Sequence, residues 1–137
     1  MANIPYVMAL VVVNENGDFL LLKRSEDKYI GPGAWSVVGA FPLTQEDDMK
    51  EVAKRELFDE IGISKELGDI TYLGNFQSDF EAKDKVITAM INVLSVEIPS
   101  NSAIVLNNEH TEYKWVSVKE LQKFPLTEAV RRIISFA

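Results

Sequence analysis

The segment Arg55-Glu56-Leu57-Phe58-Asp59-Glu60-Ile61-Gly62 concentrates more chemically useful side chains than any other stretch of the chain. Glu56, Asp59 and Glu60 stand at i, i+3 and i+4. At about 100° per residue, a helix gathers all three carboxylates within about a third of its circumference. Ala53, Leu57 and Ile61 occupy the adjoining arc, so one face can be buried while the acidic arc borders that burial. Like charges at this spacing repel by roughly a few tenths of a kcal/mol per pair, and the negative C-terminal end of the helix dipole adds to the cost. Such a cluster calls for a cation. Hard carboxylate oxygens suit Mg2+ or Mn2+. Such an ion can polarise a phosphoryl oxygen and acidify water, while a carboxylate not consumed as a ligand takes the proton. The competing interpretation is a solvated helix face, with Lys54 and Arg55 offsetting part of the charge.

The flanking elements must position these groups. Residues 6–13 are rich in Val, Leu and Met, and Asn14-Glu15-Asn16-Gly17-Asp18 leads into a second apolar run at 19–22, which predicts a hairpin. Residues 25–33 mix charge, glycine and proline and predict a mobile loop that delivers the chain to a short strand at 35–38. Gly39, Pro42 and Thr44 mark a further loop, and helical spacing then runs from 46 to 61 with Gly62 as the stop. Strands are predicted at 70–76 and 86–96 around a charged turn at 81–85, followed by a polar loop at 97–109. A strand at 111–118 and short helical stretches at 118–123 and 126–136 complete the chain. No linker or composition shift divides it, so residues 1–137 read as one α/β or α+β domain with helices packed on a mixed sheet.

Here the sequence resembles the Nudix hydrolases, whose box reads glycine, five residues, Glu, seven residues, then Arg-Glu-apolar-x-Glu-Glu-x-Gly-apolar. Arg55-Glu56-Leu57 and Asp59-Glu60 with Gly62-Ile63 fit its second half, with one Glu shortened to Asp. The first half departs from the pattern. Counting back from Arg55 puts Asp47 at the isolated Glu and Phe41 at the glycine; taking Gly39-Ala40 and Glu46 instead leaves one extra residue. The likeness extends to Leu20-Leu21-Leu22-Lys23-Arg24, to Gly33-Ala34-Trp35-Ser36, and to the segment from Glu109 through His110 to Ser117. It therefore covers nearly the whole chain.

The resemblance implies a Nudix-like α/β/α sandwich with a mixed β-sheet. It also implies Mg2+-dependent (or Mn2+-dependent) hydrolysis, by metal-activated water, of a phosphoanhydride bond in a nucleoside diphosphate-linked or nucleoside triphosphate-like substrate. Carried over by position, Glu56, Asp59 and Glu60 are metal ligands, Asp59 through water because it is one methylene shorter. A backbone carbonyl at Gly39 or Ala40 is a further ligand, Arg55 orients the loop or a carboxylate, and Glu109 is a candidate proton acceptor. The altered loop at 39–47 motivates the alternative of a catalytically impaired nucleotide- or protein-binding module of the same fold. An isoprenoid-diphosphate isomerase relative would be expected to need a cysteine, and the chain has none.

Other candidates are weaker. Lys23 and Arg24 end an apolar strand at a loop mouth, where Arg24 could contact phosphates with a two-pronged geometry. His110 is the only histidine, and its type and place favour a hydrogen-bonding or structural role over a catalytic one. Trp35, Phe76, Phe80 and Trp115 could stack on a base, but large aromatics in a chain of 137 residues usually fill the core. The net charge of -7 disfavours a nonspecific grip on a nucleic-acid polymer and leaves a small phosphorylated molecule open through bound cations. The apolar N-terminal run is too short to span a bilayer and lacks a signal-peptide pattern, so no membrane partner is expected. The lack of cysteine fits a reducing, cytoplasmic location, and a homodimer is the default assembly.

Overall fold

A computed structural model describes residues 4–28, 31–82 and 84–137. Its elements in chain order are β1 (Tyr6–Val13), β2 (Phe19–Arg24), β3 (Trp35–Ser36), β4 (Val38–Leu43), α1 (Met49–Ile61), β5 (Thr71–Ala82), β6 (Lys85–Glu97), β7 (His110–Val116), α2 (Val118–Leu121) and α3 (Glu128–Ser135). A short 3-10 turn at Leu67–Asp69 links α1 to β5. The seven strands form one sheet in the order β3-β2-β1-β6-β5, with β4 also on β1 and β7 also on β2. Among the described residues β1 and β6 are the pair that runs parallel and the other pairs are antiparallel, which makes the sheet mixed.

β1 has an unbroken apolar run because both of its faces are covered. Met8, Leu10 and Val12 point into one core with Ala53, Leu57 and Ile61 of α1, while Ala9 and Val11 point into a second with Val130, Ile133 and Ile134 of α3. Strand alternation thus sorts one sequence into two apolar layers with the sheet between them.

The observed boundaries differ from the expected ones in several places. The loop expected at 39–44 is instead β4 as far as Leu43, because its backbone finds partners on β1: Gly39 lies opposite Ala9 and Ala40 opposite Met8, with a cis peptide at Phe41–Pro42. The expected hairpin is present but splayed. β1 and β2 meet at Val13 and Phe19, after which β4 takes the rest of that edge of β1 and β2 pairs with β3 and β7. β5 continues to Ala82 rather than stopping near 76, since β6 pairs with it as far as Lys85. The described parts of the 25–33 loop are irregular as expected, and residues 29–30 lie outside the described residues.

Helix α1 begins at Met49, not at 46. Thr44 and Asp47 hold the intervening residues in a turn, the Asp47 carboxylate accepting the Thr44 N–H at 2.8 Å. Asp48 is the N-cap, accepting from the N–H groups of Lys50 at 3.0 Å and Glu51 at 3.3 Å. At the other end Gly62 adopts the left-handed conformation, φ 73°, and returns its N–H to Phe58 O at 2.9 Å. Between these caps Val52, Ala53, Leu57 and Ile61 are buried. A fully buried Leu contributes about 1.5–3 kcal/mol, so this stripe outweighs the repulsion along the acidic arc. Asp48→Ala should therefore cost about 1 kcal/mol, read as a lower urea midpoint with unchanged slope; an unaltered midpoint would show that the cap is not what sets the start of α1.

Candidate active site

Glu60 lies at the boundary between the buried stripe of α1 and its acidic arc, and the packing around it draws it inward until it is 1% exposed. Three segments enclose it. From β4, the Gly39 N–H donates to Glu60 Oε2 at 3.3 Å. Gly39 must be glycine here for a steric reason, because a Cβ would sit 2.9 Å from the Met8 carbonyl oxygen across the strand pair. From the segment after β6, the N–H groups of Val105 and Asn107 donate to Ile61 O at 3.0 Å and Glu60 O at 3.3 Å, satisfying carbonyls that a helix C-terminus leaves open. The chain then turns into β7 and brings Glu109 and His110 to the same place.

Glu60, Glu109 and His110 present ligand-capable atoms within 4.8 Å of one another. Glu109 is half-buried and held on both sides, its Oε1 accepting from Lys28 Nζ at 3.3 Å and its Oε2 from Asn107 Nδ2 at 3.4 Å. His110 Nε2 is 3.7 Å from Glu60 Oε1, too far for a hydrogen bond, and neither ring nitrogen has a hydrogen-bond partner among the described residues. Of the hydrogen-bonding or structural role expected for this histidine, the hydrogen-bonding part is not what the described residues show. Arg24 stands opposite His110 across the β2–β7 pair, and its charge acts on Glu60, Glu109 and His110.

The other expected residues divide. Glu56, one turn before Glu60, is half-buried; it shares a hydrogen bond with Glu60 and receives Arg55 Nε at 3.3 Å. Asp59 is exposed and lines a surface groove with Lys54, Arg55, Phe58 and Lys65. Glu46 and Asp47 are exposed in the turn before α1. Of Gly39, the amide N–H is what meets Glu60. The aromatic candidates serve packing: Phe76 stacks on Phe136, Trp35 abuts Phe124 edge-on, Phe80 abuts Phe41, and Trp115 packs against the α1-side core. Lys28 and Asn107 were not singled out in the sequence, because nothing local to a lysine or an asparagine in a loop signals a partner 81 positions away or a turn two residues long.

Electrostatics follow from this enclosure. Burial, then the negative charges of Glu109 and Glu56, push the Glu60 carboxyl up from 4.5 to about 9, although the Gly39 N–H opposes them. Burial and the Arg24 charge push His110 down from 6.5 to about 4, against the pull of Glu109. Burial raises the Glu109 carboxyl too, but its bonds from Asn107 and Lys28 prevail and hold it below its ordinary value. At neutral pH the cation-free chain thus keeps Glu60 protonated and His110 neutral, while Glu109 is ionised. A carboxyl kept protonated by neighbouring carboxylates, beside an ionised carboxylate and an unpartnered imidazole, is a donor set that fits a divalent cation, whose charge would restore ionisation of Glu60.

The two shifts act on stability in opposite windows. Glu60 is raised on folding, so its contribution is complete below 4.5 and is lost as pH rises toward about 9. His110 is lowered, so its contribution is complete above 6.5 and is lost as pH falls toward about 4. Above pH 6.5 only the Glu60 effect remains. In EDTA, thermal unfolding should show wild type losing stability relative to Glu60→Gln as pH rises, by up to about 1.4 kcal/mol per pH unit. A gap that stays constant with pH would mean that Glu60 is ionised without a cation.

Comparisons with known proteins bear on the family and the fold. The family model of the NUDIX domain matches residues 3–136. The nucleoside triphosphatase NudI of Escherichia coli K12 is 26% identical over 128 residues, which span 90% of this chain and 89% of that protein. Among solved structures, the MutT protein of Methanosarcina mazei Go1 superposes with a TM-score of 0.71 at 27% identity, over 98% of this chain and 94% of that one. The NUDIX domain of Shewanella oneidensis NrtR, solved with ADP ribose, superposes with a TM-score of 0.77 at 14% identity, over 99% and 87%, which is a likeness of fold. With its mixed sheet between helical layers and a family match across almost its full length, the chain belongs to the Nudix family of hydrolases.

Proposed function

We propose that this Nudix-type pyrophosphohydrolase cuts a phosphoanhydride bond in a small nucleoside diphosphate-linked or nucleoside triphosphate-like molecule, with Mg2+ or Mn2+ held at Glu60. The observation that carries the reading is one fully buried carboxylate beside two further carboxylates, in a wall that also presents Arg24. Relatives support both halves of the substrate class, one a nucleoside triphosphatase by name and another solved with ADP ribose. The net charge of -7 favours a small substrate over a nucleic-acid polymer. Among the described residues no helix is long and apolar enough to cross a membrane.

In this reading Glu60 and Glu56 are the direct carboxylate ligands. Asp59, exposed and one methylene shorter, takes part through water, and the Gly39 carbonyl is a further ligand. When bound, the cation neutralises charge on the phosphoryl oxygens and makes water more acidic. The remaining work falls to the chain. Arg55, 3.3 Å from Glu56, orients that carboxylate. Glu109, ionised and fixed by Lys28 and Asn107, accepts a proton from the attacking water as the water oxygen bonds to phosphorus and the bridging P–O bond breaks. Arg24 holds a phosphate by paired hydrogen bonds.

The test is a panel of nucleoside triphosphates, nucleotide sugars, ADP-ribose and dihydroneopterin triphosphate, assayed with Mg2+ or Mn2+ for wild type, Glu60→Gln and Glu109→Gln. At least one substrate should release product with wild type. Glu109→Gln should lower kcat by roughly 100- to 10,000-fold, and Glu60→Gln should remove the dependence on added cation together with the activity. Turnover that survives both substitutions unchanged would refute the assignment of the site.

A further inference from the structure

His110 is 5% exposed, and both of its ring nitrogens lack a hydrogen-bond partner among the described residues. A buried polar group in that state is destabilising unless something absent from the protein atoms satisfies it. Its Nε2 faces Glu60 Oε1 at 3.7 Å, and the two share a cluster with Glu109 whose ligand-capable atoms lie within 4.8 Å. The Glu60 oxygen and the His110 nitrogen, at this separation, converge on one ion through bonds of about 2 Å after a small side-chain adjustment.

We infer that His110 supplies a nitrogen ligand to the cation held at Glu60, and that the centre therefore binds transition-metal dications such as Mn2+, Co2+ or Zn2+ more tightly than Mg2+. The inference rests on the proposed cation site and adds to it a donor of a different chemical kind. Imidazole is a softer ligand than carboxylate and is matched by Co2+, Ni2+ and Zn2+, whereas Mg2+ keeps oxygen ligands and several waters. Oxygen ligands alone already favour the later first-row dications, and exchanging one oxygen for a nitrogen steepens that preference.

Because His110 is the only histidine, an untagged chain labelled with 15N-histidine reports on it without any substitution. Saturation with Zn2+ should move one ring-nitrogen resonance in step with one bound equivalent, and Mg2+ should move it far less. Direct titration with Co2+, followed by calorimetry and by its visible absorption, should then show His110→Gln weakening Co2+ binding by at least about tenfold, since loss of even an outer-shell partner of a ligand costs about 10- to 100-fold. Mg2+ affinity should change much less. If the labelled chain binds Zn2+ or Mg2+ in a manner abolished by Glu60→Gln while the histidine resonances stay still, the inference fails and the cation site stands. If no ion binds in a Glu60-dependent manner, both fail. A histidine response that persists undiminished in Glu60→Gln also overturns the inference. Should His110→Gln not fold, the labelled wild type decides alone.

Discussion

Everything at the functional end of this fold is organised around a carboxyl group removed from water. Transferring an ionised carboxylate into the interior costs several kcal/mol even after relaxation, a large share of the 5–15 kcal/mol by which a typical domain is stable. The chain meets that cost by keeping Glu60 protonated when no cation is present and by placing the Gly39 N–H against Oε2. It also closes the helix end, the N–H groups of Val105 and Asn107 satisfying the carbonyls of Ile61 and Glu60. Each of these devices belongs to a different part of the chain, and each constrains its own element. β4 must approach β1 so closely that Gly39 has no space for a side chain. The segment before β7 must fold back over α1.

The same burial explains why the carboxylates of α1 are not equivalent. At about 100° per residue, Glu60 falls within reach of the Leu57–Ile61 stripe, Glu56 lies 40° further out, and Asp59 lies further still on the arc shared with Arg55. The core therefore draws Glu60 in, leaves Glu56 half-buried on its rim and leaves Asp59 in solvent. Glu109, by contrast, reaches the cluster from β7 with Lys28 and Asn107 already attached, and stays ionised. Two acids with the same side chain thus come to opposite protonation states a few ångströms apart, a pattern that divides ligand and proton-acceptor roles in hydrolytic sites.

The elements that rest on local periodicity were legible in the sequence. β1, β2 and the α1 stripe follow from apolar spacing, and Gly62 from the left-handed conformation that a helix C-cap requires. The misread stretch, 39–43, contains glycine and proline and so looks like a loop, yet its strand character comes from hydrogen bonds to β1, which no window of neighbouring residues contains. The start of α1 was misplaced for a related reason: two successive aspartates, Asp47 and Asp48, are each able to cap, and the engagement of Asp47 with Thr44 leaves that task to Asp48.

For the site, the sequence alone determined the acidic register of Arg55 to Gly62, because helical geometry converts spacing directly into a shared face, and with it the resemblance to the Nudix box. Tertiary structure decided the rest. Which carboxylate is buried depends on where the neighbouring core lies, and which residues join it depends on a crossing between segments some 50 positions apart in the chain, Glu60 against Glu109 and His110. The role of His110 changes most between the two views. Residue type and position made it a hydrogen-bonding or structural histidine, but only the packing of β7 against α1 shows a buried imidazole with no hydrogen-bond partner among the described residues, since the presence or absence of a partner is a property of the enclosure.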